Sequence, residues 1–193
     1  MSKYDVDRST FAGSRDRKKP IKLILVGPDC SGKSTLAEML GLHYQIKVMG
    51  HRKIKDKMRA LQSIVDGVFK YVRSDREFIM DQWQYPVDIV YENVLGSGSS
   101  PMASMSEHLI EEFNAYDVLV LHITASNRAL SYRYSQRGDE LWDIEQILKV
   151  AKAYKPTLQE LGVKHSTIDT STMTPDQVLS RAVDIIDKFY KEC

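Results

Sequence analysis

The chain has 193 residues, 42% of them hydrophobic and 27% charged, with a formal net charge of +1. Such a length and composition suit one domain with its own core, and the near-neutral balance excludes a chain whose overall charge demands nucleic acid or a membrane surface. No apolar run reaches membrane-spanning length or forms a signal-peptide core, and the two cysteines, Cys30 inside a glycine-rich loop and Cys193 at the last position, argue against a disulfide scaffold and for a reducing cytoplasm.

Residues 1–19 are polar and basic without periodicity, which predicts a flexible arm ahead of a single domain over 20–193. Pro20 opens the apolar run "IKLILV", a first strand that leads straight into "GPDCSGKST". A helix is expected over 33–44, and "IKVMG" reads as a second strand. Apolar residues from Ile54 to Val72 recur at helical spacing. "EFIMD" is a third strand ending on Asp81. Helices follow over 86–95 and 104–116, separated by "GSGSSP". "DVLVLHIT" is the fourth strand, and helical patterns resume over 127–136 and 141–161. "KHSTIDT" is the fifth, and a last helix spans 175–190 with Thr174 as its N-cap. Strands alternate with helices throughout, which predicts an α/β fold in three layers, a five-stranded parallel sheet with helices on both faces.

The loop satisfies G-x-x-x-x-G-K-[ST] from Gly27 to Ser34, between a strand and a helix. Glycines at Gly27 and Gly32 let backbone N–H groups converge on one centre, and the helix N-terminus adds its positive dipole end. Cys30, Ser31 and Thr35 belong to the same nucleotide cradle. Lys33 is expected on the β- and γ-phosphates and the Ser34 hydroxyl on Mg²⁺. This is a P-loop NTPase pattern, with ATP and Mg²⁺ as the implied cofactors. The Asp-x-x-Gly and Asn-Lys-x-Asp motifs of switch GTPases are absent, which leaves a small kinase as the leading class.

A crevice at the carboxyl ends of the strands places Asp81 beside the cradle. There it can hold Mg²⁺ or deprotonate an attacking hydroxyl, and a plain turn aspartate is the alternative. "QWQYP" follows at once. Trp83 and Tyr85 can stack on a base or fill the core, and Gln82 can read a base edge or face solvent. In "NRALSYRYSQRGDE", Arg128, Arg133 and Arg137 follow the fourth strand. Arg133 and Arg137 share a helix face and suit a lid whose charge stabilises a transferred phosphoryl group, against a merely solvated helix; Arg128 is placed with the nucleotide. Arg52 or Lys53, on a basic helix face at 51–59, is a candidate for an acceptor phosphate, against a merely solvated face.

"ILVGPDCSGKSTLA", "FIMDQWQYPVDIVYE", "LVLHITASNRALSYRYSQRGDE" and "STIDTSTMTPDQVLSRAVDII" together resemble the thymidylate kinase family, whose loop typically reads Gly-x-Asp-Gly-x-Gly-Lys-Ser-Thr. The resemblance covers most of residues 20–190. It implies phosphoryl transfer from ATP to a deoxynucleoside monophosphate, with Asp29 on the sugar 3′-hydroxyl and Asp169, Ser171 and Thr172 where the final loop approaches adenine. It also implies a homodimer. Gln82 and Trp83 stand where the family has Arg-Tyr, "MGHRK" where it has Arg-Glu-Pro, and His122 where an aspartate is common. The short chain and divergent acceptor half resemble viral nucleotide kinases, including those of modified-base metabolism, which implies a host cytoplasm. Three other readings stay open: a kinase acting on a hydroxyl of DNA or of a modified base in it, such as 5-hydroxymethyluracil; a deoxynucleoside kinase; and a nucleotide-binding regulator without catalysis.

Overall fold

The computed structural model describes residues 19–50, 66, 69–82, 84–96, 106–137 and 143–192. Among these, β1 (Lys22–Val26), β2 (Val48–Gly50), β3 (Phe78–Asp81), β4 (Leu119–Thr124) and β5 (His165–Asp169) form one sheet in the order β2-β3-β1-β4-β5. Every pairing is parallel. The helices are α1 (Lys33–Tyr44), α2 (Gln84–Leu95), α3 (Ser106–Ala115), α4 (Asn127–Arg137), α5 (Ile144–Glu160) and α6 (Pro175–Glu192).

Alternation of side chains along each strand divides the core between the two faces. Ile24, Val26, Phe78, Met80 and Val120 face one way and are covered by Val87 and Val90 of α2, Leu109 and Phe113 of α3, and Val150 and Leu158 of α5. Leu23, Leu25, Ile79, Leu121 and Ile123 face the other way, against Leu36 and Leu40 of α1 and Ala182 and Ile186 of α6. All five residues of β1 are buried, as befits a central strand covered on both sides. The expected three-layer α/β architecture is therefore the one the chain adopts.

Local chemistry sets the element ends. Asp143 caps α5 by accepting from the Gln146 N–H, while the Gln146 side chain accepts from the Asp143 N–H. The same reciprocal pair joins Thr174 and Gln177 at the start of α6, so Thr174 is the cap that its sequence position suggested. Helix α2 begins at Gln84, two residues before the expected Pro86, because proline is tolerated in a helix's first turn. The expected helix over 52–72 is described only at 66 and 69–72, which are helical, and the arm lies outside the described residues except Lys19, whose ammonium pairs with Asp117 at 2.7 Å.

The register places the strand ends side by side. Leu25 pairs with Asp81, Val26 with His122, and Thr124 with Asp169. Strand β1 lies between β3 and β4, so the loop that leaves Val26 opens where the chain order around β1 reverses, the usual place for a ligand crevice.

Candidate active site

The phosphate loop runs between β1 and α1, and its shape follows from three backbone positions. Gly27 has φ +145°, and a Cβ there would lie 2.0 Å from the Ile123 carbonyl oxygen, so glycine alone fits. Cys30 has φ +63° and Gly32 φ +94°. These left-handed turns fold the chain back on itself before the helix. The N-terminus of α1 has no side-chain cap and no acid in its first turn, and Gly32, Ser34 and Thr35 are exposed there. Uncapped N–H groups and a positive dipole end suit an anion.

Lys33 is 5% exposed, and its ammonium donates to the Pro28 carbonyl at 2.6 Å. The Ser31 N–H donates to the same oxygen at 3.4 Å. Burial lowers the Lys33 pKa, opposed by the negative charges of Asp29 and then Asp81, and assisted by the positive charge of Arg137. The charges of Asp29, Asp81 and Arg137 thus all act on one ammonium. Asp81 Oδ1 is buried and makes no hydrogen bond among the described residues. An unpartnered carboxylate oxygen at a strand end is costly unless something else meets it. Asp81 Oδ1 and the exposed Ser34 hydroxyl would suit a divalent cation, since Mg²⁺ takes one or two protein ligands and completes its shell with phosphate and water. Among the described residues no group of three or more His, Cys, Asp or Glu could hold a metal without such help.

The turn after Asp81 is left-handed at Gln82, φ +56°, with its N–H bonded to the Leu25 carbonyl at 3.1 Å. Tyr85 lies in the first turn of α2, while Trp83, Arg52 and Lys53 lie outside the described residues. Asp29 accepts from the Tyr91 hydroxyl of α2 at 3.3 Å.

The arginines of α4 separate by role. Arg128 is exposed near the helix start. Arg137 is close enough to Lys33 to repel its charge. Arg133 instead donates to the Cys30, Ser31 and Thr170 carbonyls and to the Thr170 hydroxyl. At the end of β5, the Asp169 carboxylate accepts from the Ser171 N–H at 2.9 Å and from its hydroxyl. Ser171 in turn accepts from the Ser126 N–H at 2.7 Å. Asp169 therefore shapes the β5–α6 loop and joins it to the β4–α4 loop, and Thr172 is exposed two residues beyond Thr170.

Sequence reasoning did not single out Tyr91, Tyr154 or Thr170. Tyr154 of α5 is fully buried, stacks on the His122 ring at 5.4 Å between centroids and meets Tyr91 edge-on at 6.4 Å. Thr170 could have been found by the rule that selected Asp81, since it directly follows a strand end.

No family model matches the chain, and no curated protein matches it. Solved structures do. It resembles the YorR protein of Bacillus subtilis, crystallised with phosphorylated GDP, at TM-score 0.70 and 19% identity over 86% of this chain and 95% of that one. It resembles deoxyadenosine kinase of M. mycoides with the products dCMP and dCDP at TM-score 0.58 and 13% identity, over 87% and 99%. A gluconokinase from Sinorhizobium meliloti is similar at TM-score 0.56 and 12% identity, over 91% and 97%. The chain has the fold of these proteins, two of which are kinases by name.

Proposed function

We propose that the chain is an ATP-dependent kinase that phosphorylates a deoxynucleoside monophosphate. The observation that carries this reading is the phosphate loop itself, turned by Gly27, Cys30 and Gly32 into the exposed, uncapped N-terminus of α1 beside the buried Lys33. Lys33 would exchange its Pro28 partner for the β- and γ-phosphate oxygens. The exposed N–H end of α1 would receive the remaining phosphate charge. Ser34 and Asp81 are the groups that would hold Mg²⁺, which when bound neutralises charge developing on the phosphates. Arg137 would face the transferred group from α4. Asp29, steadied by Tyr91, would accept from a sugar hydroxyl of the acceptor. Arg128, Asp169 and Thr172 would border the nucleotide base.

One second reading has specific support. The fold likeness to a deoxyadenosine kinase favours a deoxynucleoside as acceptor, with Asp81 as the base that takes the hydroxyl proton. Incubating the chain with γ-labelled ATP and Mg²⁺ against dNMPs, deoxynucleosides and hydroxymethylated DNA separates these readings. Label is expected in the dNMP pool. Label only in deoxynucleosides would install the second reading, label only in DNA a polymer kinase, and label in none with ATP still bound would sink the enzyme reading.

A further inference from the structure

Arg133 leaves α4 toward the back of the phosphate loop. Its Nη1 donates to Thr170 Oγ1 at 2.9 Å, to the Cys30 carbonyl at 3.2 Å and to the Ser31 carbonyl at 3.4 Å, and its Nη2 donates to the Thr170 carbonyl at 2.8 Å. The Thr170 hydroxyl has two acceptors for its single proton, the Ser31 carbonyl at 3.0 Å and the Thr124 carbonyl at 3.1 Å. Ser31 and Thr170 are 0% and 4% exposed. One guanidinium thus bonds the loop twice and the residue after β5 twice, and ties both to α4.

Peptide geometry turns this into a statement about binding. A planar trans peptide carries its C=O and N–H on opposite sides. The Cys30 carbonyl belongs to the same peptide as the Ser31 N–H, and the Ser31 carbonyl to the same peptide as the Gly32 N–H. Holding both carbonyls on Arg133 therefore turns both N–H groups away from it. The Ser31 N–H accordingly bonds Pro28 O, the oxygen that also receives the Lys33 ammonium. Lysine could not replace this fork, since one ammonium has no planar pair of nitrogens to span the two carbonyl sites.

We infer that Arg133 is a positioning residue, which presets the Gly32 amide for phosphate, keeps the Ser31 amide on Pro28 O, and couples the cradle to the β5–α6 loop through Thr170. It does not itself meet the transferred phosphoryl group. The inference rests on the nucleotide-binding reading above and adds a role to it.

The test combines MgADP binding by calorimetry with the transfer rate at saturating MgATP, for the wild type, Arg133→Met, Arg133→Lys, Thr170→Val and the double variant Arg133→Met/Thr170→Val. Arg133→Met is expected to weaken MgADP binding by about tenfold or more while the saturated rate falls by less, and Arg133→Lys to recover only part of the affinity. Thr170→Val is expected to weaken binding in the same sense, and the double variant to be no worse than the weaker single one, because both act through one peptide segment. Unchanged MgADP affinity with a rate loss of about a hundredfold would make Arg133 a catalytic residue and overturn the inference. So would full recovery in Arg133→Lys, or multiplicative losses in the double variant. Should Arg133→Met fail to fold, Thr170→Val decides, and unchanged affinity there overturns the inference. A wild-type chain that bound no nucleotide would instead bring down the reading on which this one stands.

Discussion

The Tyr91 hydroxyl donates to Asp29 Oδ2 across 3.3 Å, a bond that joins α2 to the phosphate loop. Tyr91 also touches the buried Tyr154 ring, so one residue reaches both the loop and the core beneath it. Asp29 is then restrained on one carboxylate oxygen. Removing the hydroxyl in Tyr91→Phe costs at most about 1 kcal/mol of stability, the usual net worth of one partly exposed hydrogen bond. Its effect on activity should be larger and one-sided. The acceptor KM is expected to rise several-fold, on the order of 3 to 10 times, with kcat nearly unchanged, since the bond orients a binding group and not a reacting one. Asp29→Asn should raise the acceptor KM further. Steady-state kinetics at saturating MgATP check this, and an unaltered acceptor KM in both variants would remove Asp29 from the acceptor site.

Asp81 should show the opposite balance between function and stability. Its Oδ1 is buried without a hydrogen-bond partner among the described residues, and its charge opposes the desolvation of Lys33. A group kept in that state contributes little to folding. Asp81→Asn is therefore expected to keep the unfolding free energy within about 1 kcal/mol of wild type. Transfer should fall by about a hundredfold or more, and the Mg²⁺ dependence of ATP binding should weaken. Urea denaturation beside a Mg²⁺ titration reads both quantities. A large stability loss with activity intact would mean that Asp81 is an ordinary turn residue.

The legible and illegible parts of this site differ in physical origin. The cradle was legible because its requirements are local: left-handed or unhindered backbone at Gly27 and Gly32, a helix start, and a lysine and hydroxyl at fixed offsets. Asp81 was legible because a short apolar run ending in a carboxylate, in an alternating α/β pattern, has its end at the crevice. The five strands and the cap at Thr174 follow from the same short-range chemistry, whereas the cap at Asp143 was not read and the helix was expected to start at 141. Arg133 was legible only as belonging to α4, because its spacing from Arg137 states a shared face and says nothing of which acceptors lie opposite. Its partners, Cys30 and Thr170, are 103 and 37 residues away. Tyr91, Tyr154 and His122 meet only after α2, α5 and β4 pack together, and no local pattern encodes that meeting.

Cys30 occupies a left-handed position, φ +63°, where the resembling family's loop has glycine. A side chain there costs on the order of 1 kcal/mol. The Cys30 side chain offsets part of this by packing in a small apolar cluster with Ala125 and Leu130. Cys30→Gly should therefore leave stability within about 1 kcal/mol of wild type, as relief of strain and loss of contact offset each other. Cys30→Val adds a β-branch to the same backbone and should lose roughly 2 kcal/mol. It should also weaken nucleotide binding, because the Cys30 carbonyl is one of those held by Arg133. Urea midpoints and MgADP titrations check both variants, and a valine variant as stable as the glycine one would show that the loop does not need the left-handed turn.

His122 makes folding stability depend on pH. The ring is 2% exposed, accepts or donates at Nδ1 to the Thr167 hydroxyl at 3.3 Å, stacks on Tyr154, and leaves Nε2 buried without a hydrogen bond among the described residues. Burial, followed by the nearby charges of His165, Lys33 and Lys155, lowers its pKa from 6.5 to about 4. Between those values the unfolded chain binds a proton that the folded chain refuses. Stability therefore rises with pH across that window and is lost as pH falls from 6.5 toward about 4. At about 1.36 kcal/mol per pKa unit, the gap caps this loss at roughly 3 kcal/mol. His122→Phe keeps an aromatic ring against Tyr154 and removes the titration. Its unfolding free energy should fall less steeply than that of the wild type below pH 6.5, so the two urea-derived curves should converge or cross toward pH 4. Curves that keep a constant separation over that range would show that His122 is not held neutral by the fold.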